Sequence, residues 1–231
     1  MAGRSVAIVA LGPSCATYMH IAKACGGRAK VADEVWAINA MGDVIQCDAV
    51  FHMDDVRIQQ ARLDADPKLE YLGVMLDWLR TTPGPVFTSR KVDGFPGLVE
   101  YPLQEVIEAT GQTYFNNTAA YAIAKAIVDG FGQIQLYGLD YTYAEIKGAE
   151  KGRGCAEFWI GQATARGIEV YIAPVSSLMD TNEARRFYGY DMCDVEVIPG
   201  VEGAVNVTLK DRENPPSGAE MNDRYDHTKV V

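Results

Sequence analysis

Short apolar runs alternate with longer amphipathic segments along most of this chain. The apolar runs are residues 5–11, 34–38, 49–52, 85–88, 133–137 and 168–172. Each run ends in small or polar residues, which is typical of buried strands. Between two of them, leucines recur at helical spacing at positions 69, 72, 76 and 79. This order predicts repeated βα units, and therefore an α/β fold with a mostly parallel sheet and helices on both faces.

The helix boundaries follow from capping residues and helix breakers. We expect helices over residues 14–24, 118–129 and 156–166, and a helical region over about 55–80 that is interrupted at Asp66-Pro67. Ser14 is placed to cap the helix over 14–24, and Asn116 and Asn117 precede the helix over 118–129.

The pattern weakens at two places and so suggests the domain organisation. Residues 90–112 are rich in Gly and Pro, which favours a lid or a variable insert. Residues 181–231 include Pro215-Pro216 and few large apolar side chains near the end, which favours an extended C-terminal tail or a partner-binding arm. We therefore expect one domain over 1–180, followed by an extension.

Composition narrows the class of protein. A chain of 231 residues that is 48% hydrophobic can bury a substantial core. The net charge of −10 disfavours extended nucleic-acid binding. The sequence shows neither a long apolar segment nor a signal-peptide pattern, so we expect a cytoplasmic protein that does not span a membrane. Its five cysteines have no C-x-x-C spacing, which indicates neither a zinc site nor a disulfide framework.

The strand ends collect the candidate site. In a parallel sheet the carboxyl ends of the strands meet at one edge, where ligands bind. The turn Gly12-Pro13-Ser14 ends the first strand and opens a helix, so its backbone can present N–H groups to a phosphate. A nucleotide is the ligand that this predicts, although an ordinary strand-to-helix turn explains the same residues, and no P-loop or G-x-G-x-x-G motif is present.

His52, Asp54 and Asp55 form the strongest acid/base cluster. Of three histidines only His52 lies at a predicted strand end, where it is a candidate general base. Asp54 is a second catalytic candidate, and Asp54 with Asp55 has the oxygen ligands that Mg²⁺ prefers. The alternative is that both carboxylates lie in the first turn of the next helix, where its dipole favours them.

Five further polar positions lie at the same edge or beside it. Asn39 ends a strand, and its amide can read a base or a ribose. Asn117 and Thr118 open the later helix, where capping explains one of them. Asp140 ends another strand and can orient hydroxyl groups or accept a proton, while Tyr143 offers a stacking face. Turn chemistry and core packing are the alternative explanations.

Five segments, taken in order, resemble a known family. Residues 7–14, 35–39, 47–51, 117–127 and 135–141 resemble the bacterial sialyltransferases of glycosyltransferase family 42. They are equally similar to Rossmann-like domains grouped with 6-hydroxymethylpterin diphosphokinases, and to phage proteins. The resemblance implies a Rossmann-like, GT-A-like single domain with a cytidine nucleotide site. The matching positions are Gly12, Pro13, Ser14, Asn39, Thr118 and Gly138.

The chain departs from that family at two positions. Leu11 stands where the family carries an asparagine, and residues 141–160 contain no histidine where the family has its catalytic one. Transfer by the family's mechanism is therefore not expected, and His52 or Asp140 would have to act as the base.

Three functions follow from these observations. The first is a transferase that uses a nucleotide-linked donor, most simply a CMP-sugar-like nucleotide sugar, and an acceptor that the sequence does not name. The second is Mg²⁺-dependent diphosphoryl transfer from ATP, which suits Asp54 and Asp55. The third is a non-catalytic nucleotide-binding or structural protein. All three predict a small-molecule nucleotide as partner, and a homo-oligomer stays open.

Overall fold

A seven-stranded sheet and a separate two-stranded sheet organise the chain. The computed structural model describes residues 3–142, 146–181 and 187–224. The strands are β1 (Ser5–Val9), β2 (Glu34–Ile38), β3 (Ala49–Phe51), β4 (Val86–Thr88), β5 (Leu98–Glu100), β6 (Gln133–Tyr137), β7 (Glu169–Ile172), β8 (Cys193–Pro199) and β9 (Val205–Asp211). The helices are α1 (Cys15–Cys25), α2 (Met41–Val44), α3 (Val56–Ala65), α4 (Glu70–Thr81), α5 (Leu103–Thr110), α6 (Thr118–Val128), α7 (Ile146–Thr164) and α8 (Gly218–Arg224). None of the helices in these ranges is long and apolar enough to cross a membrane.

The large sheet is parallel and reverses its winding direction at β1. Its strand order is β5-β4-β3-β2-β1-β6-β7, and every neighbouring pair is parallel. From β1 the chain winds outward to β5 and then returns to β6 on the other side of β1, so that Ile8 pairs with both Trp36 and Leu136. This confirms the predicted Rossmann-like α/β fold, whose ligand crevice lies where the strand order reverses.

Alternate residues of β1 bury opposite faces of the sheet. Val6 and Ile8 lie in one apolar cluster with side chains of α5, α6 and α7. Ala7 and Val9 lie in a second cluster with side chains of α1, α3 and α4. A side chain of this kind contributes roughly 1.5–3 kcal/mol when it is fully buried. The two clusters confirm that helices cover both faces, as the period-2 pattern of a buried strand requires.

The bounds of one helix differ from the sequence expectation, and the segment 90–112 contains two short elements. The helix expected over 156–166 begins at Ile146, well before its predicted start. The segment 90–112 contributes the edge strand β5 and the helix α5, with Leu98, Tyr101 and Val106 all buried. Its Gly and Pro residues lie in the turns around these elements, so the apolar residues between them are part of the core.

Residues 184–231 form a second compact unit, separate from Met1–Glu183. Its β8 and β9 are antiparallel, with Val195 opposite Leu209 and Val197 opposite Val207. These residues share one face of the hairpin, because side chains alternate along a strand. The hairpin and α8 were not predicted from the sequence, although the alternating valines were a signal for the strands.

Candidate functional site

A cavity of about 540 Å³ lies at the carboxyl ends of β1 and β6, where the sheet reverses its winding. Segments after four strands, together with the start of α6, enclose it. The lining residues are Ala10, Leu11, Gly12, Pro13, Ile38, Asn39, Asp54, Asn117, Thr118, Ala119, Gly138, Leu139, Asp140, Tyr141 and Thr142. Among these residues the ionisable acids are Asp54 and Asp140, and none is Lys or Arg.

Hydrogen bonds join the loop after β1 to the segment after β6. The Gly12 N–H donates to the Gly138 carbonyl oxygen at 2.8 Å, and the Gly138 N–H donates to Ser14 Oγ at 2.7 Å. The Ser14 N–H donates to Asp140 Oδ2 at 2.6 Å. Because these buried groups satisfy one another, the two loops form one rigid wall of the cavity.

Two glycines permit this close approach. A Cβ on Gly138, whose φ is +71°, would lie 2.1 Å from the Ala10 carbonyl oxygen. A Cβ on Gly12 would lie 2.6 Å from both the Gly138 oxygen and Asp140 Oδ2. Neither distance is sterically allowed, so both positions need glycine for space, and Gly138 needs it for backbone conformation as well.

The start of α1 uses its N–H groups internally. Besides the bonds of Gly12 and Ser14, the Cys15 N–H donates to the Gly12 oxygen at 2.9 Å, and the Ala16 N–H to the Pro13 oxygen at 3.2 Å. The sequence predicted that the Ser14 side chain caps α1. Ser14 is fully buried, and its side chain makes no capping hydrogen bond to α1. That expectation was wrong because the Gly138 N–H takes up Ser14 Oγ. The turn shapes the cavity without offering these donors to a ligand.

The start of α6, in contrast, has backbone N–H groups that are open, in the sense that no described residue accepts a hydrogen bond from them. Asn117 is the N-cap: its Oδ1 accepts from the Ala120 N–H at 2.9 Å, and its Nδ2 donates to the Gly152 oxygen of α7 at 2.7 Å. Thr118 and Ala119 line the cavity, and no residue in the described ranges accepts a hydrogen bond from their N–H groups. The first N–H groups of a helix have no intrahelical acceptor and carry its positive dipole end, so this position suits an anion.

Asp140 is a buried acceptor with one oxygen unused. The side chain is 3% exposed, and Oδ2 is held by the Ser14 N–H. Its Oδ1 is buried and has no hydrogen-bond partner among the described residues. A buried carboxylate oxygen without a partner is costly, which marks it as a position where a ligand donor would be stabilised.

His52 reaches the cavity through Asn39. His52 is 1% exposed, with Nδ1 3.2 Å from Asn39 Oδ1 and Nε2 3.0 Å from Gln59 Oε1 of α3. Burial lowers the pKa of His52, and the hydrogen bond to Gln59 and the charge of Asp54 oppose this effect in part. His52 is not among the residues that line the cavity, and both of its ring nitrogens already face amide groups.

The two neighbouring carboxylates after β3 have different environments. Asp54 lines the cavity. Asp55 is the N-cap of α3: its Oδ1 accepts from the Arg57 N–H at 2.9 Å, and the Arg57 guanidinium binds both carboxylate oxygens. The Arg57 side chain is the main reason that the pKa of Asp55 falls to about 2. In the described ranges no three His, Cys, Asp or Glu side chains lie together as a metal site.

The structure therefore brings most of the predicted residues together. Those that line the cavity are Gly12, Pro13, Asn39, Asp54, Asn117, Thr118, Gly138 and Asp140. Ser14 and His52 are buried next to lining residues, and Asp55 caps a helix. Tyr143 lies outside the described residues. The lining residues Ala10 and Ile38 were missed, because apolar residues at strand ends carry the same signal as core residues.

The fold and the cavity define a Rossmann-like domain with a cavity at the reversal of its sheet. No model of a known family matches the chain, and no curated protein is significantly similar to it. Two solved structures of the sialyltransferase CstII from Campylobacter jejuni are similar. The structure with a substrate analogue, CMP-3FNeuAc, has a TM-score of 0.45 and 16% identity over 96% of this chain and 98% of that chain. The structure with cytidine-5′-monophosphate has a TM-score of 0.36 and 14% identity over 96% and 98%. Similarity at this level does not indicate what this chain binds.

Proposed function

We propose that the chain is a transferase that binds a nucleotide-linked donor, a nucleotide sugar, in the cavity at the reversal of its sheet. One observation carries the proposal. Three residues that line the same cavity have polar groups without a partner among the described residues: Thr118 and Ala119 have unpaired backbone N–H groups, and Asp140 has an unpaired Oδ1. N–H groups at a helix start suit a phosphate, and a carboxylate oxygen suits a ribose hydroxyl or a base amino group.

The charges of the lining favour a donor with a single phosphate. Asp54 and Asp140 contribute negative charge, and no lining residue is Lys or Arg. A triphosphate in this cavity would need a metal ion or several cations to offset its charge. A single phosphate diester, as in a CMP-sugar, needs only hydrogen bonds and the positive end of the α6 dipole. This is the reason for preferring a nucleotide sugar over ATP.

Asp54 is the residue that we propose as the base. Deprotonation of an acceptor hydroxyl requires a group that reaches the ligand. His52 is buried behind Asn39, and Asp140 already receives the Ser14 N–H, whereas Asp54 lines the cavity. Asp54 would accept the proton of the acceptor hydroxyl as the acceptor oxygen bonds to the anomeric carbon of the sugar. The bond from that carbon to the phosphate oxygen would break, and the nucleoside phosphate would depart toward the start of α6.

Two variants of Thr118 test the phosphate position. Thr118→Pro removes one N–H donor while keeping the helix, because proline is favoured at the first helical position and Asn117 has the extended conformation that precedes proline (φ −155°, ψ 160°). Thr118→Ala keeps the N–H and removes only the hydroxyl. We expect Thr118→Pro to weaken CMP binding by roughly tenfold or more, since charge-assisted hydrogen bonds contribute about 1.5–3 kcal/mol.

The measurement is isothermal titration of the full chain with CMP, UMP, AMP and GMP and with CMP-sugars and UDP-sugars, in EDTA and again in Mg²⁺. Thermal unfolding of both variants controls for the fold. The proposal fails if the unaltered chain binds none of these ligands, and the phosphate position fails if Thr118→Pro binds CMP as tightly as Thr118→Ala.

A further inference from the structure

Three hydrogen-bonded polar side chains, two of them buried, connect the cavity to helix α3. Asn39 lines the cavity, His52 lies next to it, and Gln59 of α3 lies on the far side of the imidazole ring. His52 and Gln59 are 1% and 7% exposed. No hydrogen bond from Asn39 Nδ2 or Gln59 Nε2 to any described residue accompanies these contacts, so each amide uses one of its two ends on the ring.

The protonation state of the His52 ring determines which of these groups donate hydrogen bonds and which accept them. Burial lowers the pKa of His52, so the ring is neutral near pH 7 and has one N–H donor and one acceptor nitrogen. A neutral ring donates to one amide oxygen and accepts from the other amide's NH₂ group. Both amides have their oxygen next to the ring in the structure, so with a neutral ring one of them turns its NH₂ group to the ring instead. If Nδ1 carries the proton, Asn39 binds the ring through Oδ1 and keeps its NH₂ for the cavity. If Nε2 carries the proton, Gln59 accepts it and Asn39 keeps its oxygen for the cavity.

We propose that His52, held by Gln59, is a positioning residue that locks the amide orientation of Asn39 and so makes the cavity selective between ligand groups that donate and ligand groups that accept. The selectivity rests on the proposed nucleotide site, whereas the lock itself is a property of the free protein. A hydrogen bond offered to the wrong kind of group leaves two donors or two acceptors facing each other, which a buried site penalises.

Two pairs of nucleotides, each differing in a base donor or acceptor group, test this selectivity directly. CMP and UMP differ by an amino donor in place of a carbonyl acceptor, and AMP and IMP differ in the same way. We expect the unaltered chain to bind one member of at least one pair about fivefold or more tightly, the size expected for one correctly oriented hydrogen bond.

The variant is Gln59→Met, which keeps the length of the side chain and removes its hydrogen bonds. Gln60→Met is the matched control on the same helix, because the Gln60 side chain bonds to Asp64 and Arg80 and does not contact His52. We expect Gln59→Met to bring the ratio of the two dissociation constants to within about twofold of one, and Gln60→Met to leave it unchanged.

The tautomer of His52 gives a readout that needs no ligand. Two-dimensional ¹H–¹⁵N spectra of the imidazole rings distinguish a protonated from a bare ring nitrogen, and the His52 signals are assigned by their loss in His52→Asn. We expect a single neutral tautomer in the free chain and in Gln60→Met, and averaged tautomers in Gln59→Met.

The outcomes separate the two proposals. Averaged tautomers in the unaltered chain, or an unchanged nucleotide ratio in Gln59→Met, overturn the positioning role. A single tautomer in a chain that binds none of the nucleotides and none of the nucleotide sugars supports the lock on Asn39 and overturns the proposed function.

Discussion

Gly138 is the residue on which the shape of the cavity depends most directly. Its φ of +71° and the 2.1 Å that would separate an added Cβ from the Ala10 oxygen are two separate constraints. Gly130 shares the first constraint, with φ +73°, but a Cβ added there would have no neighbour within 4 Å. Comparing alanine at the two positions therefore separates backbone conformation from space.

We expect Gly130→Ala to lower the free energy of unfolding by about 1–2 kcal/mol, the usual cost of a left-handed backbone at a residue with a Cβ. Gly138→Ala should cost roughly 3 kcal/mol or more, because β1 and the segment after β6 must also move apart. Urea denaturation of the two variants measures this difference. Equal losses of stability would show that the contact with Ala10 relaxes without cost.

The two adjacent carboxylates Asp54 and Asp55 both precede α3, so the alternative that they lie in its first turn was wrong, and their environments differ. Asp55 is occupied by the helix N–H groups and Arg57, while Asp54 lines the cavity. The predicted Mg²⁺ pair would need both carboxylates at one ligand. In the structure Asp55 caps α3, and of the two carboxylates only Asp54 lines the cavity.

Asparagine at each position tests this division. Asn is a good N-cap, so Asp55→Asn should cost less than about 0.5 kcal/mol of stability and leave turnover of the donor within about twofold, whereas Asp55→Ala should cost about 1 kcal/mol. Asp54→Asn should lower turnover by about 100-fold or more, the usual contribution of a general base, with donor binding retained. Release of nucleotide from the donor and thermal unfolding are the measurements. A loss of turnover in Asp55→Asn that Mg²⁺ concentration modulates would instead favour the metal pair.

Local patterns predicted the elements, and long-range pairing decided their details. The strands β2 and β6 and the cap at Asn117 depend on neighbouring residues, so their sequence signals were sufficient. The partner of Ser14 Oγ is 124 residues away in the sequence. No local pattern indicates that the Gly138 N–H competes with α1 for that oxygen. The same limit applies to the candidate site: strand ends identified most of its residues, but not which N–H groups remain open.

At the scale of the whole molecule, the net charge of the chain and the charges of the cavity lining are both negative. The chain carries a net charge of −10, and the cavity lining adds two carboxylates without a basic side chain. Long-range attraction cannot therefore concentrate an anionic ligand at the site. For the proposed nucleotide ligand, short-range hydrogen bonds at α6 and Asp140 would supply the affinity, which predicts that the dissociation constant for a single phosphate depends only weakly on salt.

The core and the cavity both belong to the first of the two compact units. All residues of the two apolar clusters and all residues of the cavity lie within Met1–Glu183. A chain that ends at Glu183 should therefore keep its cooperative unfolding, with a melting temperature within about 4 °C of the full chain, the shift that corresponds to about 1 kcal/mol. Its dissociation constant for the nucleotide that binds the full chain best should stay within about twofold, since neither the start of α6 nor Asp140 is altered. Circular dichroism on heating and isothermal titration of both chains check this. A loss of cooperative unfolding would show that residues 184–231 complete the core, and a loss of binding by a folded, shortened chain would show that they complete the site.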